Sequence, residues 1–445
     1  MSTHRWIPTR IAESSTTAAS GLLFGYSIAA INTALAPMQT DLDLSAAETG
    51  IVVSAVAGGA LLGAVVAGFL MGLVGPRHAL LLAGTIACLG SVAHVGVDSA
   101  GSIVAARAAI GIGVGIASVA TPVFVADRAD PHRRGILLTG YQLSITVGIL
   151  VALLVGWVVI GHASWRWITG LNAVPAVMVM LGAALSARDG PVHHAIPTLS
   201  GAGAGLPPED RAAVAAVVTA RQDIGAAARS AALVAVAAAL MNALTGVGLV
   251  MYYSTEIFAA VGGGSRSAVF FSVLVGAANV VASIVAVPLI ARINRRPLLI
   301  CGLLGMAASL TMMAVSLQLT GSGYATALAV TGTVAFMAFF AISAGPLAWL
   351  VLSEVAPPRY RHVVTSSAIA ANWTTNLILA VLFPILVGSP PDGRIAALCC
   401  AGFVLSSLGF AVFVWRYVPE TRGLTLSQIQ DRFLARAART DHDVT

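Results

Sequence analysis

Lysine is absent from this chain of 445 residues, and charge of either sign is scarce: 24 arginines and 18 acidic side chains make up 9% of it. An ordinary soluble domain carries about 25% charged residues, so that class is excluded. A hydrophobic share of 58% and a mean hydropathy of +0.91 instead indicate an integral membrane protein. Cysteine is nearly missing as well. Cys88, Cys301, Cys399 and Cys400 all lie inside apolar runs, a placement that suggests neither a disulfide framework nor a metal site and reads as core packing. The sequence has no P-loop for ATP hydrolysis, no nucleophile beside a base and no metal-ligand spacing. An enzyme reading therefore finds no support, and neither cofactor nor metal is implied.

What the chain does have is long apolar runs. A helix crosses roughly 30 Å of hydrocarbon in about 20 residues. On that ruler twelve spans fit, near 16–37, 46–74, 78–98, 101–125, 135–160, 165–186, 232–260, 266–292, 297–319, 324–352, 362–388 and 393–417. The basic start MSTHRWIPTR leads into an apolar run too long for a signal-peptide core, so no cleavage is expected. Four arginines, Arg107, Arg166, Arg266 and Arg394, fall in spans or odd-numbered loops; the other 20 lie at the termini and in even-numbered loops. By the positive-inside rule both termini of this multi-pass chain are expected on the cytoplasmic side of the cell's inner membrane. The net charge of +6 is the same asymmetry and gives a nucleic-acid partner no support beyond it. One long polar segment, 188–230, reads as a cytoplasmic linker in which PPEDRAAVAAVVTARQDI forms a short surface helix. It separates a bundle over 1–187 from a second over 231–418, followed by a tail over 419–445.

The halves repeat each other. DRADPHRRG after span 4 holds Asp127 and Arg134, and SEVAPPRYRH after span 10 holds Glu354 and Arg361, at equal spacing and both offset by 227 positions. Short turns carry Arg77 between spans 2 and 3, and Arg292, Arg295 and Arg296 between spans 8 and 9. Two six-helix halves in parallel repeat are the architecture of alternating-access carriers, in which one half rocks against the other around a midplane site. After span 12 comes YVPETRGLTLSQ, where Pro419 stops the helix and Gly423 permits a sharp turn, holding Glu420 under the bundle. A cytoplasmic gate is expected from Arg77, Asp127, Arg134, Arg292, Arg296, Glu354, Arg361 and Glu420, its charges pairing when that side closes and parting when it opens. The plainer reading is a set of independent surface charges.

These stretches resemble the major facilitator superfamily and, within it, the sugar porters. VPETRGLTLSQIQ is similar to that family's terminal PETKG signature and NRRPLLICGLLGMA to its loop 8–9 motif. RAAIGIGVGIASVATPVFVADRADPHRRG, GYQLSITVG, SWRWITGLNAVPA, ISAGPLAWLVLSE and ANWTTN are similar to its helices 4, 5, 6, 10 and 11. The resemblance implies an all-α membrane fold of twelve helices in two six-helix bundles, monomeric in the lipid bilayer, moving a sugar or related polyhydroxylated small molecule. By matching positions it implies a substrate site with Phe24 on span 1, Gln142 on span 5, Asn242 and Tyr252 on span 7, Asn279 on span 8, Trp349 on span 10, and Asn372 and Trp373 on span 11. The chemistry is apt, since amides donate to and accept from hydroxyls and an indole stacks on the C–H face of a sugar ring. Helix-to-helix hydrogen bonding is the structural alternative for each residue.

Departures from the family pattern carry their own expectations. On span 7 the QQxxGxN run becomes NALTGVG, with Asn242, Ala243 and Gly248 at the three polar positions, so the pocket is expected to be rebuilt. The span 10 acid of many relatives is Ala341, and the loop acids are Gly72 and Ala291. Proton-coupled relatives carry an Asp on span 1 where this chain has Ser27, which cannot titrate. Transport without proton coupling through span 1 is therefore expected. Arg107 remains on span 4, expected either to snorkel to the outer interface or to take part in coupling, and Glu256 is the other candidate for a proton site. The depleted polarity of span 7 leaves open an exporter of a more apolar small molecule or drug.

Overall fold

The structure, a computed structural model, describes residues 6–128, 131–159, 164–186, 229–260, 265–319, 324–355, 361–387, 393–422, 424 and 428. The linker and its expected surface helix lie outside the described residues apart from 229 and 230, as does the tail beyond 424 apart from 428. The side chains of Arg134, Glu256 and Arg361 are likewise outside the description.

Hydrocarbon offers the backbone no hydrogen-bond partner, so each apolar run satisfies its own N–H and C=O groups as a helix. Among the described residues, eleven helical stretches are long and apolar enough to cross a membrane. One of them, Ala47–Val95, has 49 residues, roughly 73 Å at 1.5 Å per residue, and holds spans 2 and 3. The two are separated by Gly75 alone, whose φ of 78° and ψ of 163° break the helix before Pro76 restarts it. Span 2 begins with a capping box: Ser45 Oγ accepts from the Glu48 N–H, and the Glu48 carboxylate accepts from the Ser45 N–H at 2.9 Å.

Among the described residues, three spans are interrupted. Span 6 forms Arg166–Gly170 and Ala173–Leu185. Span 7 turns at Gly246, with φ of 89°, before Val247–Ala260, and span 10 divides at Ser343 into Ala325–Ile342 and Ala344–Val355. The remaining spans are the helices Trp6–Leu42, Ala100–Arg128, Pro131–Val159, Ser265–Arg292, Arg295–Gln318, Arg361–Val387 and Gly393–Tyr417. Within the first six spans, span 1 packs along span 5 and span 2 along span 4; within the last six, span 9 packs on spans 10 and 12. Spans 2 and 11, 5 and 8, and 1 and 7 join the halves.

Small residues set these contacts. Span 2 carries Gly59 and Gly63, span 4 carries Gly111 and Gly115, and each pair has the G-x-x-x-G spacing. A methyl group on Gly111 would sit 2.2 Å from the Val56 carbonyl oxygen, and one on Gly59 2.1 Å from that of Ala108. The backbones of the two helices touch. Cys400 is buried, Cys88 and Cys399 are half-buried and Cys301 is exposed, so core packing fails for Cys301, which stands on the outer surface of span 9. Gly111→Ala is expected to destabilise the bundle by roughly 1–3 kcal/mol, lowering the melting temperature of purified protein. Gly101→Ala, at a position with nothing within 4 Å, is the matched control and leaves it unlowered.

Candidate substrate cavity and charged face

One cavity lies between the halves, and all eight side chains expected around a substrate line it: Phe24, Gln142, Asn242, Tyr252, Asn279, Trp349, Asn372 and Trp373. Gln142 and Phe24 come from the first six spans and the rest from the last six. The breaks of spans 7 and 10 stand at its depth, because Val247, Gly248 and Phe340 line it too. Its volume is about 60 Å³, against roughly 300–1,000 Å³ for ordinary ligand pockets. The cavity is contracted because the halves meet on both sides of it.

Its chemistry is divided between aromatic rings and amides. Phe24 stands edge-on to Trp349 with centroids 6.5 Å apart and lies 5.3 Å from Trp373, a trio that spans both halves. Gln142 and Asn279 are 5% and 1% exposed. Gln142 Oε1, both amide atoms of Asn279 and Trp373 Nε1 have no hydrogen-bond partner among the described residues. A buried polar atom left unpaired costs about 1–3 kcal/mol, so these atoms are poised to bind hydroxyl groups. Asn372 is engaged differently. Its Nδ2 donates to Ala239 O at 2.7 Å, and its O and Oδ1 accept from Asn376 Nδ2 at 3.0 and 3.2 Å. Asn376 also lines the cavity, and its Oδ1 would be 2.5 Å from a methyl group on Gly248. Sequence reading missed Asn376, although the second Asn of NWTTN, one helical turn after the first, is the signal that marks it.

Arg107 does not snorkel. It is 1% exposed, and its Nε donates to Val52 O at 2.7 Å and its Nη2 to Val53 O at 3.4 Å. The close approach of spans 2 and 4 brings those carbonyls within reach. Ser27 Oγ lies 2.7 Å from Leu23 O and 3.0 Å from Asn172 Oδ1, and Asn172 Nδ2 donates to Ser91 Oγ at 3.1 Å.

At the arginine-rich face the named bonds join helix ends within one half. Arg295 Nη2 meets Glu354 Oε1 at 2.7 Å. Burial raises the Glu354 carboxyl above the ordinary range, and the Arg295 guanidinium opposes that shift. Glu420 accepts from the backbone N–H groups of Arg295 and Arg296 at 3.1 and 3.2 Å, capping the start of span 9. Arg422 donates to Arg292 O at 2.5 Å and Ala291 O at 2.8 Å, capping the end of span 8. Arg77 does the same for span 6, donating to Ala183 O at 2.8 Å and Ala184 O at 2.9 Å. Asp127 is exposed at the end of span 4. Arg295 and Arg422, outside the expected gate set, also take part at this face, Arg295 by its ion pair with Glu354 and Arg422 by bonds to backbone carbonyls. On the same side of the cavity, Ser366 Oγ of span 11 donates to Ala64 O of span 2 at 2.7 Å, joining the halves.

On the opposite side the halves are latched by Asn32. Its Nδ2 donates to Met251 O at 2.7 Å and Ser254 Oγ at 2.8 Å, and its Oδ1 accepts from Thr255 Oγ1. Ser272 of span 8 joins the cluster, 3.1 Å from Ser254 Oγ and 2.8 Å from Thr255 Oγ1. Each neutral bond contributes about 0.5–1.5 kcal/mol. Asn32→Ala is therefore expected to favour opening on this side several-fold or more, read as faster thiol labelling of a cysteine placed at Ile28 in the cavity.

The profile of the family described as Sugar (and other) transporter matches residues 14–433. The glucose transporter GlcP of Staphylococcus epidermidis is 30% identical over 447 residues, which cover 95% of this chain and 97% of that one. The galactose-proton symporter of Escherichia coli K12 is 28% identical over 433 residues, covering 93% and 92%. Among solved structures, the major facilitator superfamily proton:xylose symporter XylE bound to 6-bromo-6-deoxy-D-glucose superposes with a TM-score of 0.77 at 23% identity, covering 96% of this chain and 99% of that one, a likeness of fold. Because the profile runs through every span, the chain belongs to the family of sugar (and other) transporters, built on the major facilitator fold.

Proposed function

We propose that this protein carries a sugar or related polyhydroxylated molecule across the cytoplasmic membrane, with its arginine-rich face and both termini inside and the bundles over 1–187 and 231–418 rocking about the cavity. The observation that carries this reading is the set of buried amide atoms without partners, Oε1 of Gln142 from one half and both amide atoms of Asn279 from the other, beside the Phe24, Trp349 and Trp373 rings. A hydroxylated ring satisfies both amides at once and offers its C–H face to an indole, so binding draws the halves together. Gln142→Ala and Asn279→Ala are each expected to weaken substrate binding by roughly 2- to 10-fold, one neutral hydrogen bond apiece, with the fold intact. Thermal shifts of purified protein with pentoses, hexoses, polyols and hydrophobic amines measure this. Ile28, Ile149, Met251 and Met337 also line the cavity, which favours export of a more apolar molecule as the second reading, and stabilisation by the amines alone would select it.

We also propose that transport is not proton-coupled through span 1. Ser27 does not titrate, and its hydroxyl is held between Leu23 O and Asn172. Both the galactose-proton symporter and the proton:xylose symporter are named for proton coupling, which makes the comparison direct. In liposomes this protein is expected to equilibrate substrate without accumulating it under an inward proton gradient. Accumulation in wild type that disappears in Glu256→Gln would move coupling to span 7.

The charges at the arginine-rich face we assign to framing each bundle as it rocks. Caps such as Glu420 on span 9 and Arg422 on span 8 hold neighbouring helices of one half in register, and a gate between the halves, on this reading, draws on Asp127, Arg134 and Arg361.

A further inference from the structure

Spans 11 and 12 follow each other in sequence yet touch only sparingly. Between them runs an apolar fissure of about 200 Å³. Its mouth is at Leu382 and Leu386, which are 44% and 52% exposed, and it leads inward past Phe383, Cys399 and Phe403 to Leu249 of span 7, which is only 6% exposed. A narrower cavity of about 30 Å³ continues from Leu249, Phe383, Cys399 and Phe403 to Gly246 and to Met313 of span 9. Apart from the Ser406 hydroxyl and the sulfurs of Cys399, Cys400 and Met313, the side chains of this lining are hydrocarbon.

The fissure opens within membrane-crossing helices. Cys399 stands six residues into Gly393–Tyr417, roughly 9 Å from that helix end, and thus inside the hydrocarbon of the leaflet at the arginine-poor face. Water has no claim on such a space, since it needs about 2–4 polar partners. A hydrocarbon chain gains dispersion contact on every side. We propose that one acyl chain of a phospholipid from that leaflet inserts between spans 11 and 12 and reaches Leu249. There it packs beside Phe403, whose ring backs Gly246 so closely that a methyl group on that glycine would be 2.9 Å away. The chain thereby braces the break in span 7, whose outer part carries Tyr252 in the cavity and Ser254 and Thr255 in the Asn32 latch.

The test uses the full chain in liposomes of phosphatidylcholine bearing a photoreactive diazirine at mid acyl chain, with adducts located by peptide mass spectrometry. Adducts on Leu249, which the surrounding lipid cannot otherwise reach, are expected within about threefold of the yield on Leu382. Gly402→Leu, at a fissure position with nothing within 4 Å of an added methyl, is expected to cut the Leu249 adducts at least fivefold and to leave those on Leu382 in place. Ser406→Phe, one turn further along the same wall, is the second filling variant. Adducts confined to Leu382 and Leu386 would mean surrounding lipid only and overturn the site. Leu249 adducts unchanged in both filling variants would overturn the route between spans 11 and 12.

Discussion

The backbone's need for hydrogen bonds in a medium that supplies none governs this molecule. Every uninterrupted helix answers it, and the interruptions show where the answer is relaxed. Gly246 and Ser343 break spans 7 and 10 at the depth of the central cavity, not on the lipid surface. At Ser343 the freed groups are met locally, since its N–H donates to Phe340 O at 3.2 Å and its Oγ to Phe339 O at 2.6 Å. An interruption costs least where protein covers it. The same constraint acts at the helix ends, where Glu420, Arg422 and Arg77 satisfy N–H and C=O groups that a helix cannot satisfy itself.

Buried polar side chains follow the same accounting. Arg107 is a cation inside a membrane bundle, and it persists because two carbonyls of span 2 receive its N–H groups. Those carbonyls are near only because Gly59, Gly63, Gly111 and Gly115 let the two helices touch. A change at a glycine of that interface therefore reaches the arginine, and through the tightness of the first bundle it reaches the cavity wall. Ser27 is part of a similar chain through Asn172 to Ser91, a set of neutral groups that bond to one another.

The fold was legible because the signals that set it are long and repeated. Twelve apolar runs, arginines concentrated in alternate loops and an offset of 227 positions between matching acids all bear on it, and no side-chain geometry is needed to read them. The eight cavity residues were legible by matched position along helices whose register the motifs fix. Side-chain partners were not. Arg295 and Arg296 are adjacent, and only the turn from span 8 into span 9 decides which reaches Glu354. Asn32 gives no signal in FGYSIAAIN because a latch is a contact between halves, and no periodicity within span 1 reports what span 7 presents opposite it. The snorkelling expected of Arg107 fails for a related reason: distance from the helix end suggests escape to the interface, while the carbonyls that hold it belong to another helix.

Gly248 illustrates how far subtraction along one helix can mislead. Counting span 7 alone, its glycine removes an amide from the cavity and suggests a less polar pocket. In three dimensions the space beside Gly248 is taken by the Asn376 carboxamide of span 11, and a methyl group at 248 would stand 2.5 Å from its Oδ1. The absent side chain and the present one are alternatives for the same volume. Asn376 is in turn fixed by two bonds to Asn372, which is fixed by Ala239 O of span 7. The amide is thus carried by span 11, which bonds span 7 on both sides of its break, at Ala239 O and through Tyr253 Oη, which donates to Ala380 O at 3.1 Å. Polarity is retained in the cavity, but its attachment has moved from span 7 to span 11.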